Sequence, residues 1–156
     1  MIAEAMMRAL ELARQAAARD EVPVGAVVLG AESDGGRQQI IGEGSNDREA
    51  RQSPVSHAEL HALDAASKAL GSWRLEGCTL VVTLEPCPMC LGAIQQARIA
   101  RVVYGAADPK GGAISLGYRL NEDGRTNHRF AVDHLPTPEA GSVLSDFFAR
   151  KRNPAR

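Results

Sequence analysis

The sequence predicts an α/β fold, a three-layer α-β-α sandwich built around a mixed five-stranded sheet. Three observations predict it. Short β-branched apolar runs alternate with longer stretches of helical period. The first two runs are joined by a polar turn, which makes them a hairpin. The third run, Thr79 to Leu84, leads straight into a C-x-x-C stretch that reads as the start of a helix.

The elements follow in order. Residues 2–19 place Ile2, Met6, Ala9, Leu10, Ala13 and Ala17 at helical spacing, an amphipathic first helix. Pro23 to Leu29 is Val-rich and reads as a strand. The turn Glu32 to Arg37 and the strand Gln39 to Gly42 complete the hairpin, and Gly44 to Pro54 reads as a loop. A second helix is expected from Ser56 to Leu70, with Leu60, Leu63, Ala66 and Leu70 inward. Then come the third strand, the C-x-x-C helix to Arg98 and a fourth strand at residues 101–104. Gly105 to Asn127 is too long for an ordinary connector and reads as a binding loop. A fifth strand at 129–135 and a last helix from Pro138 to Arg152 finish a single domain spanning residues 1–156.

Composition narrows the class. The 156 residues suit one domain with a real core. They are 44% hydrophobic and 24% charged, ordinary values for a globular protein. A net charge of −1 gives no global attraction to nucleic acid or membrane, so any polyanion must meet a local basic patch. No apolar run approaches the ~20 residues of a membrane span, and the N-terminus has no signal-peptide pattern. Three cysteines, two of them in C-x-x-C, suit metal binding in a reducing compartment, the cytoplasm by default. Cys78 reads as a small core hydrophobe.

Cys87 and Cys90 are three apart at the first turn of a helix, with Pro88 at its first position. Residues i and i+3 share a face, so both thiols can grip one metal, and the helix dipole favours their thiolate form. A third ligand must come from elsewhere, and His57 opens the preceding helix. Three protein ligands plus water is the catalytic zinc pattern, whereas four protein ligands would be structural. His61 could close such a structural site, but the order and spacing are not those of a finger. Glu59 is the nearby base, able to move a proton from water to a ring nitrogen and help expel an amine. Residues i and i+2 point roughly 200° apart in mid-helix, so His57 and Glu59 share a site only at the first turn. The tail from Arg150 to Arg156 is the densest positive cluster and a candidate for phosphate contact.

His57-Ala58-Glu59 followed by Pro86-Cys87-Pro88-Met89-Cys90 resembles the H-x-E…P-C-x-x-C signature of zinc nucleobase deaminases. More narrowly, the chain resembles the bacterial tRNA-specific adenosine deaminases over nearly its whole length. The matching stretches are 21–27, Gly42-Glu43-Gly44-x-Asn46, Thr83 to Cys90, Gly105 to Lys110, Asn127-His128 and Ser145 to Phe148. The resemblance implies a cytidine deaminase-like fold and deamination of the wobble adenosine of an arginine tRNA to inosine. It implies His57, Cys87 and Cys90 as ligands of one Zn2+ per subunit and Glu59 as proton shuttle. Asn46 would hydrogen-bond the target base, and the backbone N–H groups of Ala58 and Cys87 would face the attacked carbon and water. Asp108 and Lys110 would meet the anticodon backbone, and Phe147, Phe148 and Arg150 would line the loop pocket. It also implies a homodimer. The signature alone is equally compatible with a guanine or other free-nucleobase deaminase.

Overall fold

In the computed structural model, which describes residues 1–33 and 36–153, five strands form one sheet in the order β2-β1-β3-β4-β5. β1 (Gly25–Leu29) pairs antiparallel with both β2 (Ile40–Ser45) and β3 (Thr79–Leu84), while β4 (Arg101–Ala106) and β5 (Ala131–His134) extend the sheet in parallel. The sheet is therefore mixed, as the sequence predicts. Asp34 and Gly35 of the predicted hairpin turn, and Arg156 of the basic tail, lie outside the described residues.

Alternate side chains of the strands feed two cores. Val27, Val81 and Val103 face α1 (Ile2–Ala18), through Met6 and Leu10, and Ala140 of α5 (Pro138–Arg152). Val28, Leu80, Val82 and Val102 face α3 (Ala58–Leu70) and α4 (Pro88–Gln96), through Ala62, Leu63, Leu91 and Ile94. Burial on both faces is why β1 and β3 read as continuous apolar runs rather than alternating ones. The three layers are those predicted.

The strand-helix contact that aims the site differs from the sequence expectation. β2 runs on to Ser45 rather than stopping at Gly42, and a four-residue helix, α2 (Arg48–Arg51), occupies the predicted loop. Gly42 and Gly44 lie on one face of β2 with α3 pressed directly against them. A Cβ on Gly44 would stand 2.7 Å from the Ala62 nitrogen, and one on Gly42 2.6 Å from the Ala66 nitrogen. The buried stripe of α3 is accordingly Ala58, Glu59, Ala62, Leu63 and Ala66; Leu70, expected inward, is exposed. Small residues on both partners allow this approach. Gly44→Val is expected to push α3 away and cost about 3 kcal/mol, a fall in Tm of roughly 6–12 °C. Thermal unfolding beside a metal assay checks it, since the start of α3 carries His57.

Strands β2 and β3 point the same way across β1, so their carboxyl ends share one edge of the sheet. There the β1–β3 ladder stops at Ala26 and Val82, and the Gly25 N–H donates instead to Thr83 Oγ1 at 3.1 Å. The strands part at this point, and α3 and α4 both begin beside the opening.

Candidate active site

His57 and Cys87 are the cap residues of α3 and α4. Both have extended backbones (φ −87°, ψ 150° and φ −73°, ψ 170°), and Pro88 takes the first position of α4. The extended conformation at His57 removes the geometric conflict with Glu59: only Glu59 obeys the helical rotation. The first N–H groups of each helix lack intrahelical acceptors, so two positive helix ends face the same point.

His57 Nδ1 lies 3.4 Å from Cys90 Sγ and 3.7 Å from Cys87 Sγ, and all three donor atoms fall within 4.8 Å of one another. A tetrahedral ion with metal–sulfur bonds of about 2.3 Å and metal–nitrogen bonds of about 2.0 Å needs N···S edges of about 3.5 Å. One imidazole and two thiols at this spacing fit such an ion and leave a fourth position open. His61 does not join them: its Nε2 is 2.6 Å from Ser56 Oγ, which fixes the loop ahead of α3. Cys78 is a buried single thiol elsewhere in the core, as predicted.

The electrostatics suit the same reading. The hydrogen bond from Cys90, with others from His57 and the Cys90 N–H, pulls the Cys87 thiol down to about 4, while Cys90 is pushed up. One of the pair is thus a ready thiolate at neutral pH. His57 is raised, chiefly by its hydrogen bond to Cys87. Glu59 is 4% exposed, and burial raises its carboxyl above the ordinary range despite the favourable pull of Cys90 and His57.

These groups border a cavity of about 160 Å³ lined by Val22, Val24, Leu84, Asn46, Glu59 and Asp108 among others. At ~30 Å³ per water that is room for about five waters, the scale of one heteroaromatic base. Asn46 is buried, and its Oδ1 accepts the Arg48 N–H at 3.2 Å, which leaves its amide N–H groups for the cavity.

Other expected residues are placed unevenly. Ala58 and Asp108 line the cavity, but Asp108 Oδ1 also accepts the N–H groups of Lys110 (3.2 Å) and Gly111 (3.1 Å) and shapes its own loop. Lys110 is exposed outside the cavity. Phe147 is 4% exposed and Phe148 43%, in edge-to-face contact, so Phe147 anchors α5 and Phe148 is the one left accessible. Arg150 is not brought to the cavity; it borders a separate hollow with Arg14 and Asp146 between α1 and α5.

Two buried carboxylates were missed by sequence reasoning although both sit inside quoted motifs. Glu21 accepts the N–H groups of Glu49 (2.9 Å) and Ala50 (2.8 Å) at the start of α2. Glu85 accepts the N–H groups of Asp108 (3.1 Å) and Ser115 (2.8 Å) and the Ser115 hydroxyl (2.6 Å). Each fastens one wall of the cavity. Their partners lie about thirty residues away in sequence, so no local pattern reveals them. Glu85→Ala leaves three donors without their acceptor, at about 1–3 kcal/mol for each that water does not reach. Amide exchange at residues 108 and 115 is expected to speed at least about tenfold, with metal content unchanged.

Sheet, paired helix starts and His-Cys-Cys cluster together form a metal-capable site of the kind that zinc nucleobase deaminases carry, and the comparisons place the chain among deaminases. The family model of MafB19-like deaminases matches residues 2–152. The chain is 45% identical to the tRNA-specific adenosine deaminase of Bacillus subtilis, over 94% of this chain and 88% of that one. A solved structure from a study of A-to-I editing by tRNA:A34 deaminases superposes with a TM-score of 0.82 at 40% identity, covering 91% of this chain and 99% of that one. The chain is also 59% identical, over 95% of its length, to a tRNA(Ile)-lysidine synthase of Deinococcus deserti, but spans only 27% of that protein. The chain belongs to the tRNA-specific adenosine deaminase family.

Proposed function

We propose that this chain converts the wobble adenosine, anticodon position 34, of an arginine tRNA to inosine by hydrolysis. The observation that carries the proposal is the His57, Cys87 and Cys90 triangle beside a buried carboxylate in a base-sized cavity. His57, Cys87 and Cys90 would hold one zinc ion per subunit. When bound, zinc supplies the Lewis acidity that makes water a nucleophile near neutral pH.

Glu59 does the proton work. Its carboxylate takes a proton from the attacking water and passes it to a ring nitrogen of the base; the second proton leaves with the amine. Water's oxygen is gained and ammonia is lost, so atoms balance. Burial keeps the Glu59 carboxyl more basic than a free one, which suits a group that must accept a proton and release it. Asn46 holds the edge of the base with its amide N–H groups, and the Ala58 and Cys87 N–H groups face the reacting atoms. An adenosine in an anticodon loop is cheap to splay into such a cavity because no duplex must open.

Around the cavity, Asp108 and Lys110 would meet the anticodon backbone and the exposed ring of Phe148 would stack on a neighbouring base, with Phe147 behind it. Arg150, exposed beside the hollow between α1 and α5, would meet the strand farther out. The homodimer is part of the same proposal. Met89, Leu116 and Tyr118 are exposed apolar residues on α4 and on the loop tied to it by the Ala113 N–H to Pro86 C=O bond of 2.8 Å. Two cores flanking one sheet support a single domain. The proposed setting is the cytoplasm, where three unpaired thiols stay reduced. Among the described residues no helix is long and apolar enough to cross a membrane.

The test is ammonia release by zinc-loaded protein on an arginine tRNA anticodon stem-loop beside free guanine, adenosine and cytidine. Turnover of the stem-loop alone is the expected result. Turnover of a free base with a silent stem-loop would replace this reading with that of a guanine or other free-nucleobase deaminase.

A further inference from the structure

Arg48, the first residue of α2, stands where two hollows meet. On one side is the cavity that holds Glu59; on the other is a groove of about 690 Å³ bounded by Arg19, Phe148 and Lys151. Its side chain is exposed, and among the described residues its guanidinium makes no hydrogen bond or ion pair. The surrounding charges are already committed. Asp47 pairs with Arg51 at 2.7 Å, Lys151 with Asp20, and Arg19 donates to Ser45 Oγ at 2.9 Å. Glu49 is the remaining carboxylate on this turn, and it lines the groove rather than the cavity.

The backbone beneath Arg48 is held unusually firmly for a surface turn. Its own N–H donates to Asn46 Oδ1 at 3.2 Å, and the next two N–H groups donate to Glu21, which is 1% exposed. One buried carboxylate therefore fixes the turn that carries both the amide facing the base and the guanidinium at the mouth. A rigid mount, an uncommitted planar cation and a position at the cavity rim together describe a receptor for an anion that arrives with the base.

From this juxtaposition we infer that Arg48 binds the phosphodiester next to the nucleoside that enters the cavity, and so makes the site prefer a polynucleotide to a free base. A base drawn out of its strand leaves its flanking phosphates at the pocket mouth. Guanidinium matches phosphate bidentately, with charge on both sides, whereas lysine offers only a point charge. A neutral nucleobase brings nothing for it to hold. The inference rests on the proposed function and adds to it a residue that sets the class of substrate.

Arg48→Ala, Arg48→Lys and a control, Arg101→Ala, are compared with the unaltered protein on the anticodon stem-loop across a salt series. Arg101 lies at the opposite end of β4, paired with Asp133. Arg48→Ala is expected to raise KM about tenfold or more with kcat nearly unchanged. It should also flatten the slope of log(kcat/KM) against log salt by about 0.7. Arg48→Lys should recover the salt slope and part of KM, and Arg101→Ala should match the unaltered protein. A stem-loop with a neutral methylphosphonate flanking the target should reproduce the loss, with no further loss on Arg48→Ala. An unchanged KM and salt slope in Arg48→Ala, or a fall in kcat alone, overturns the inference. So does methylphosphonate and mutation acting additively. A silent unaltered protein on the stem-loop overturns the proposed function and this inference with it; an active one beside an unaffected Arg48→Ala overturns the inference alone.

Discussion

Glu59→Gln is expected to lower kcat on the stem-loop by about 10²–10⁴-fold while zinc content is kept and Tm is unchanged or higher. The sign on stability follows from burial. Glu59 sits in the core of α3's first turn, and its carboxyl is raised because the charged form is penalised there. Glutamine keeps the shape and removes the charge, so the fold loses nothing. The reaction would lose the carboxylate assigned the proton transfer, and an amide can neither take the water proton nor return it. KM should change little, since Asn46 and the cavity walls, rather than Glu59, would hold the base. Steady-state kinetics with metal analysis and thermal unfolding check all three parts. A variant that keeps turnover within tenfold of the unaltered protein would contradict the assigned role.

Cys90→Ala is expected to lose metal and activity together. Cys90 is fully buried, and its sulfur is the nearer of the two to His57 Nδ1, at 3.4 Å against 3.7 Å. Removing it would leave two of the three proposed ligands, too few to hold zinc against a chelator. Metal bound only by the folded state stabilises it by about 4 kcal/mol at a thousandfold excess over Kd, so Tm should fall by roughly 8–16 °C. Chelation of the unaltered protein should give much the same drop, and added zinc should restore the unaltered protein but not the variant. Elemental analysis decides it: stoichiometric zinc in Cys90→Ala would mean that the ligand set is different.

The sequence was most legible where chemistry and period coincide. The i, i+3 thiols, the proline at the start of α4 and the β-branched run before them allow little else, and the two thiols and His57 Nδ1 fall within 4.8 Å of one another. α5 begins and ends at the predicted residues because Pro138 and the basic last turn punctuate it. β2 was cut short because Gly42-Glu43-Gly44 looks like a turn, although those glycines serve the contact with α3. α2 is too short to show an apolar period. Glu21 and Glu85 act on backbone donors far along the chain, which no window of sequence contains. Phe147 and Phe148 were indistinguishable as neighbours; only the direction of α5 makes the first core and the second surface. Arg150 follows from the same rotation, which turns it toward α1.

Editing by this chain is expected to fall on one adenosine at one position. The most direct measurement incubates zinc-loaded protein with a full-length arginine tRNA carrying A34, then maps inosine by nuclease digestion and mass spectrometry. The expected result is a mass gain of about 1 Da, amine replaced by oxygen, confined to position 34 and absent with Glu59→Gln. Inosine spread over other adenosines, or none at position 34 with zinc in place, would contradict it.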